Sequence, residues 1–280
     1  MATSKKVLVI AEGPDDKKVI NRVFAAYGKN IEVVTFKTDV YKLFSIYEKQ
    51  ETDYSDLDIQ KTLLNEVGSL TPNERKILQD KYVDIFLIFD FDPHAETADI
   101  KKLKKLATHF KDSSDMGKLY INYPMLESFQ HVSRDKLKAG KVDREFFERT
   151  FSEDDFSKEG TKKVKYKRRA KSEGFSHCDL SKDEWDLLVS HHLFKIEDSV
   201  GSLRKSDFSQ EIYLDLLDRQ DQSYKKKKYG MVVNTSLTII AELYPKDWED
   251  KTDVGLEKWT SRFVKERRKR STCCQLSFVS

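Results

Sequence analysis

The chain has 280 residues, of which 38% are hydrophobic, 35% charged and 11% aromatic. This aromatic content excludes an intrinsically disordered chain, and the length allows one large domain or two of ordinary size. The three cysteines offer neither a disulfide framework nor a paired metal-ligand spacing. The N-terminus lacks a signal-peptide pattern, and no apolar run has the roughly 20 residues of a membrane span. We therefore expect a soluble, cytoplasmic protein that does not bind membranes.

The distribution of charge is more informative than its sum. The net charge is only +3, from 51 basic and 48 acidic residues. Basic residues gather in runs at 162–171, 225–228 and 265–270, all in the second half of the chain. Basic flanks around an acidic site in the first half suit a protein that holds a cation and attracts a polyanion. The same runs are also typical of solvated helix faces.

Strand and helix patterns alternate through the first half of the chain. The apolar run Val7–Ala11 predicts a buried parallel strand, and the apolar stripe that follows predicts a helix. A second strand is expected over residues 31–36. Residues 41–78 have helical patterns, and the strongly apolar residues 83–89 predict a third strand.

The alternation continues with a helix over residues 98–110, a strand over 119–122 and a further helix from Tyr123. This order predicts an α/β fold, with a mostly parallel sheet flanked by helices. We expect it to form a catalytic domain over residues 1–140. Residues 141–280 are expected to form a mainly helical, basic C-terminal region, in which the glycine-bounded basic run 160–174 is a loop or exposed arm.

Acidic residues follow two of the predicted strands. Glu12 comes directly after the first strand, and Asp90 and Asp92 end the third. Alternate residues of a strand point the same way, so the two aspartates can face one cation. Glu12 can reach the same place if the two strands are neighbours, as a metal ligand or as the general acid or base. Carboxylate oxygens suit Mg²⁺ or Mn²⁺.

The motif Glu12-Gly13-x-x-Asp16 after one strand, with Asp90-x-Asp92 after a later one, resembles the TOPRIM domain. The resemblance implies that the glutamate is the acid/base residue and that the later aspartates are catalytic and bind metal. It implies supporting roles for Gly13, which allows a sharp turn, and for Asp16, which supports the loop.

The resemblance covers roughly residues 5–135 and includes Glu127, where several TOPRIM nucleases carry a further acidic metal ligand. His94, just beyond the aspartate pair, is a supporting candidate that can orient a water or touch a phosphate. Each acidic group also has a structural interpretation. These are helix capping for the first motif, a turn before a proline for the second, and a first-turn helical acid for Glu127.

Two sets of residues in the second half are predicted to contact nucleic acid. The basic run around Tyr166 combines phosphate contact with stacking. Its candidate residues are Lys165, Lys167, Arg168 and Arg169. His191 and Lys195 share one face of a predicted helix and can contact a phosphate or transfer a proton. The alternatives are an acidic protein partner for the basic run and ordinary surface histidines for the helix.

The size and architecture resemble stand-alone TOPRIM nucleases, including the nuclease of the PARIS anti-phage system. This resemblance implies a metal-dependent endonuclease and antiviral effector or toxin, with RNA, transfer RNA included, slightly favoured over DNA. It also implies an ATPase partner protein and allows a homo-oligomer. The alternatives are a non-catalytic subunit that binds nucleic acid or a protein partner, and a phosphate-transfer enzyme on a response-regulator-like fold. The phosphate-transfer enzyme is disfavoured because that fold requires a lysine at a strand end, and the sequence has no convincing one.

Overall fold

The structure is a computed structural model that describes residues 6–37, 39–49, 58–93, 98–156, 164–175, 179–200 and 209–244. Its strands are β1 (Val7–Ala11), β2 (Glu32–Thr35), β3 (Asp84–Asp90), β4 (Lys111–Asp112), β5 (Gly117–Asn122), β6 (Thr150–Ser152) and β7 (Tyr229–Met231). Its first helices are α1 (Pro14–Ala26), α2 (Val40–Lys49), α3 (Ile59–Glu66), α4 (Pro72–Leu78) and α5 (Ile100–His109). The second half contains α6 (Arg134–Lys138), α7 (Val164–Glu173), α8 (Lys182–Val200), α9 (Gln210–Lys227) and α10 (Ile239–Leu243). Short 3₁₀ helices cover Leu126–His131, Glu145–Glu148, Glu153–Phe156 and Ser236–Thr238.

The first five strands form one sheet in the order β2-β1-β3-β5-β4. Strands β2, β1, β3 and β5 are parallel, and β4 pairs with β5 in the antiparallel direction. All five residues of β1 are buried, as expected for an inner strand covered on both faces. Helices flank this sheet, which confirms the predicted α/β fold with a helical C-terminal region.

The sheet register aligns the carboxyl ends of three neighbouring strands. Ala11 pairs with Ile88 across β1 and β3, and Asp90 pairs with Asn122 across β3 and β5. Glu12, the next residue of the chain, continues the ladder by donating its N–H to the carbonyl of Ile88 at 3.2 Å. The acidic residues of the first half therefore meet at one edge of the sheet.

The chain differs from its predicted form in three places. The described part of the basic run 160–174 is helix α7, because Tyr166 and Ala170, four residues apart, give it a buried face. The helix predicted from Tyr123 is the short 3₁₀ helix Leu126–His131. Strands β6 and β7 form a small antiparallel sheet that the sequence patterns did not indicate.

Both halves of the chain contribute to one continuous apolar core. Tyr120 of β5 contacts Tyr213 of α9, with ring centroids 5.0 Å apart, and Phe129 contacts Trp185 of α8 at 6.2 Å. The predicted boundary near residue 140 therefore does not separate two cores. None of the described helices combines the length and apolar character that crossing a membrane requires. His94, residues 162–163 and the basic run 265–270 lie outside the described residues.

Candidate active site

Glu12 and Asp90 are in direct contact at the carboxyl edge of the sheet. Their strands are neighbours, and the Oε2 atom of Glu12 accepts a hydrogen bond from the backbone N–H of Asp90 at 3.1 Å. Asp90 is buried, and its Oδ1 atom accepts the N–H of Leu126 at 2.8 Å. The structure thus brings together two acidic residues separated by 78 positions in the chain.

Asp92 occupies an unusual backbone conformation beside this pair. Its φ of +28° lies on the positive side that few non-glycine residues adopt, and its N–H donates to the carbonyl of Pro124 at 3.3 Å. The preceding carbonyl, of Phe91, accepts the hydroxyl of buried Tyr41 at 2.8 Å. Burial, and then the charge of Asp92, raise the pKa of Tyr41, so this phenol remains a hydrogen-bond donor.

Asp16 belongs to the same group of carboxylates, although its sequence position indicated only a supporting role. It is 7% exposed, and its Oδ2 atom accepts the N–H of Gly13 at 2.9 Å, which caps α1. Its Oδ1 atom is buried and has no hydrogen-bond partner within the described part of the chain. Burial, followed by the charges of Glu12 and then Glu127, raises the pKa of Asp16 to about 7. The raised pKa reflects burial and the negative charges of Glu12 and Glu127, which lie near the buried Asp16 carboxyl.

Glu127 is buried at the start of the 3₁₀ helix and pairs with a lysine from the second half. Its Oε1 atom lies 2.5 Å from Nζ of Lys167 on α7. Burial lowers the pKa of Lys167, but Glu127, by its charge and hydrogen bond, and then Asp90 outweigh this effect and raise the pKa overall. We refer to Glu12, Asp16, Asp90 and Glu127 as the acidic cluster. Lys167 is its charged neighbour from the other half of the chain.

Close backbone packing explains why Lys167 reaches the acidic cluster. Helix α7 lies against the 3₁₀ helix Leu126–His131 and ends at Glu173, directly before Gly174. A Cβ atom at Gly174 would lie 1.6 Å from the carbonyl oxygen of Gln130, so only glycine permits this approach. Sequence reasoning identified Lys167 as a nucleic-acid contact, and the local sequence contains no signal that pairs it with Glu127.

The remaining residues of the basic run lie on the exposed and half-buried parts of α7. Lys165 and Arg168 are exposed, three residues apart, and Lys171 continues the same face. Arg169 is half-buried, lies 3.1 Å from Asp155 and donates to the carbonyl of Thr150 at 2.8 Å. These contacts give Arg169 a structural role, and its contact with nucleic acid stays a prediction.

Tyr166 also has a structural position. It is fully buried and stacks on Phe156, with centroids 6.1 Å apart and an interplanar angle of 6°. A buried ring cannot stack on a nucleic-acid base, so the predicted stacking role is wrong. The ring instead anchors α7 to the core.

The structure also corrects the role predicted for His191 and Lys195. Both are 2% exposed. The Nε2 atom of His191 accepts the N–H of Asp143 at 2.8 Å, and its Nδ1 lies 2.7 Å from the carbonyl of Leu187. Burial lowers the pKa of His191, in keeping with a neutral ring. Lys195 donates to two backbone carbonyls at 2.8 Å each, so neither side chain is available to a phosphate.

The donor set fits a hard divalent cation in chemistry and charge. Among the residues that the structure describes, no three His, Cys, Asp or Glu side chains form a ready-made group of metal ligands. Mg²⁺ is often held by one or two carboxylates, with waters and substrate phosphates completing its octahedron. The buried Oδ1 atom of Asp16, which lacks a hydrogen-bond partner in the described chain, is suited to such an ion.

Comparison with known proteins gave no match: no protein-family model, no curated protein and no solved structure is significantly similar to this chain. The fold and the site therefore define its class by themselves. It is an α/β protein with a buried acidic cluster at the carboxyl ends of neighbouring parallel strands.

Proposed function

We propose that the chain is a nuclease of the TOPRIM type that depends on Mg²⁺ or Mn²⁺ and hydrolyses a phosphodiester at the acidic cluster. The observation that supports this proposal is the meeting of Glu12, Asp16, Asp90 and Glu127 at one sheet edge. Buried carboxylates raise one another's pKa unless a proton or a cation intervenes. At neutral pH a divalent cation is the natural counter-charge for this cluster.

Asp16 and Asp90 of the acidic cluster would hold the cation, and Asp92, two residues beyond Asp90, would join them as the predicted pair requires. When bound, the ion polarises a phosphoryl oxygen and stabilises the charge that develops on it. The contact between Glu12 and the Asp90 amide orients the glutamate toward the same place. Because burial and the charge of Glu12 raise the pKa of Asp16 to about 7, the Asp16 carboxyl can hold or release a proton near neutral pH.

Lys167 provides a positive charge beside the cluster. Its ammonium group pairs with Glu127 and is influenced by Asp90, so it lies near the proposed reacting phosphate. A preorganised cation at this point stabilises the charge of a pentavalent transition state. The exposed face of the same helix, formed by Lys165, Arg168 and Lys171, suits the phosphate backbone of a longer substrate.

The preference for RNA over DNA follows from the family resemblance, as do the roles in antiviral defence, the ATPase partner and the homo-oligomer. These remain parts of the proposal. A reducing cytoplasmic location agrees with the unpaired spacing of the three cysteines.

Substitution of Glu12 tests the proposal. Glu12→Gln keeps the size of the side chain and removes its charge and basicity. We expect cleavage of labelled RNA or DNA in Mg²⁺ to fall by at least about 10²-fold, the usual contribution of a general acid or base. Glu32→Gln is the matched control, because Glu32 is exposed at the opposite, amino-terminal end of neighbouring β2. Wild-type cleavage should also stop when EDTA removes the metal.

Two results would contradict the nuclease assignment. Normal cleavage by Glu12→Gln would remove the glutamate from the mechanism. A wild-type chain that binds nucleic acid, cuts neither RNA nor DNA, and melts at the same temperature with and without Mg²⁺ would instead be the non-catalytic binding subunit.

A further inference from the structure

A segment from the second half of the chain lies along the carboxyl end of β5. This segment, residues 232–236, is called the clasp below. Val233 and Tyr123 form an antiparallel bridge, in which each N–H donates to the other's carbonyl at 2.8 and 2.9 Å. The hydroxyl of Thr235 donates to the carbonyl of Ile121 at 2.8 Å. The backbone between β5 and the 3₁₀ helix with Glu127 is therefore held by residues more than 100 positions later.

Asn234 is the central residue of the clasp and is completely buried. Its Nδ2 atom donates to the carbonyl of Leu126 at 2.9 Å. Its Oδ1 atom accepts from the hydroxyl of Ser236 at 2.8 Å and from the N–H of Leu237 at 3.1 Å. Its own N–H donates to Nδ1 of buried His192 at 3.0 Å. Hydrogen bonds on both sides thus determine the orientation of the side-chain amide.

Leu126 links Asn234 to the acidic cluster through its backbone. While its carbonyl accepts from Asn234, its N–H donates to Oδ1 of Asp90 at 2.8 Å. The N–H of Asp90 in turn donates to Glu12 at 3.1 Å. Glu127 is the next residue of the chain. One continuous path of hydrogen bonds therefore runs from the clasp to Asp90 and Glu12, and Glu127 is joined to this path by its peptide bond to Leu126.

We propose that Asn234 is a positioning residue of the acidic cluster. By holding the Leu126 carbonyl, it directs the Leu126 N–H at Asp90 and sets the start of the helix that carries Glu127. The second half of the chain thereby prepares the cation site formed by the first half. This inference rests on the proposed function, because it assigns the residue a role in binding the proposed metal.

Asn234→Leu tests the inference because leucine matches asparagine in shape and cannot form its hydrogen bonds. Residues that orient metal ligands typically affect metal affinity by 10- to 100-fold, so we expect Mg²⁺ to bind roughly 10- to 100-fold more weakly. The measurement is calorimetric titration of the full chain with Mg²⁺ alone. Without metal, the Leu126 amide should also exchange its hydrogen faster in Asn234→Leu than in the wild type.

Gln210→Met is the matched control. Gln210 is also a buried amide from the second half, and its Nε2 donates to the carbonyl of Leu119 in the middle of β5 at 3.1 Å. Both variants should lower the melting temperature, whereas only Asn234→Leu should weaken Mg²⁺ binding. If Asn234→Leu does not fold, Asn234→Ser, which retains a small polar group, is titrated in its place.

The possible results separate this inference from the proposed function. Wild-type Mg²⁺ affinity in the folded Asn234 variant, or an equal loss in Gln210→Met, would overturn the positioning role and leave the nuclease proposal intact. A wild-type chain that does not bind Mg²⁺ would overturn the metal-dependent function itself.

Discussion

Asp16 shows how the location of a single carboxyl group determines its chemistry. By sequence it is an ordinary acidic residue in the first turn of a helix, where the helix dipole favours a negative charge. In the folded chain, burial and the neighbouring Glu12 raise its pKa from 3.8 to about 7. The folded state therefore binds a proton that the unfolded state has released over this pH range. The contribution of Asp16 to stability therefore falls as the pH rises from about 4 to about 7.

We expect Asp16→Asn to remove this pH dependence. The amide oxygen can still accept the Gly13 N–H but cannot ionise. A pKa change of this size corresponds to up to about 4 kcal/mol, so without metal the variant should lose much less stability than the wild type between about pH 5 and about pH 8. Urea unfolding at the two pH values measures the difference. Asp115→Asn, on the exposed surface, is the control, and equal pH dependence in wild type and Asp16→Asn would contradict the assigned pKa.

Helix α7 combines three roles in ten residues. Tyr166 and Ala170 anchor it to the core, Lys167 reaches the acidic cluster, and the face with Lys165 and Arg168 is exposed. Only a helix distributes neighbouring residues in this way, because each residue is rotated by about 100° from the one before. The same short helix therefore carries an exposed basic face and the lysine that contacts the acidic cluster.

Neutralising the exposed face of α7 should weaken nucleic-acid binding more than catalysis. For the triple variant Lys165→Gln, Arg168→Gln, Lys171→Gln, we expect the slope of log affinity against log salt to decrease by roughly 2 to 3, about 0.7 to 0.9 for each lost phosphate contact. Fluorescence anisotropy over a range of salt concentrations measures this slope. The control replaces the exposed Lys136, Lys138 and Lys141, on and just after α6. An equal decrease of this slope in both triple variants would indicate that the nucleic acid is attracted only by the overall positive charge of the surface.

Across the whole molecule, buried polar contacts join the two halves in addition to apolar packing. Lys118 of β5 is 3% exposed, and its Nζ donates to both carboxylate oxygens of Glu242 on α10, at 2.8 and 2.7 Å. The hydroxyl of Tyr120 donates to the same carboxylate. Burial lowers the pKa of Lys118, and the charge of Glu242 opposes this effect.

Removing the carboxylate alone should be more harmful than replacing both charges. Glu242→Gln leaves the buried ammonium without this counter-charge, and we expect a loss of about 3 kcal/mol in the free energy of unfolding. The double variant Lys118→Met, Glu242→Gln should lose less, because the charge is gone and glutamine can still accept from Tyr120. Denaturant unfolding of both variants measures which of them has the lower free energy of unfolding. A double variant less stable than the single one would show that the unpaired ammonium is not the source of the loss.

The sequence by itself determined the features that depend on local order. The buried strands β1 and β3 were predictable because continuous β-branched and aromatic runs form inner parallel strands. The meeting of Glu12 with Asp90 was predictable because the carboxyl ends of parallel strands form one edge. Both features depend only on neighbours along the chain and on a general rule of sheet topology.

The tertiary structure alone decided which polar residues face the solvent and which hold the chain together. His191 and Lys195 have sequence surroundings typical of a nucleic-acid surface, yet their polar atoms bind buried groups of the chain. Lys167, from the basic run of α7, lies beside Glu127, and Asn234 holds Leu126 from more than 100 positions away. Such partnerships depend on packing between distant segments, because a buried polar group must bind whichever partner the fold places beside it.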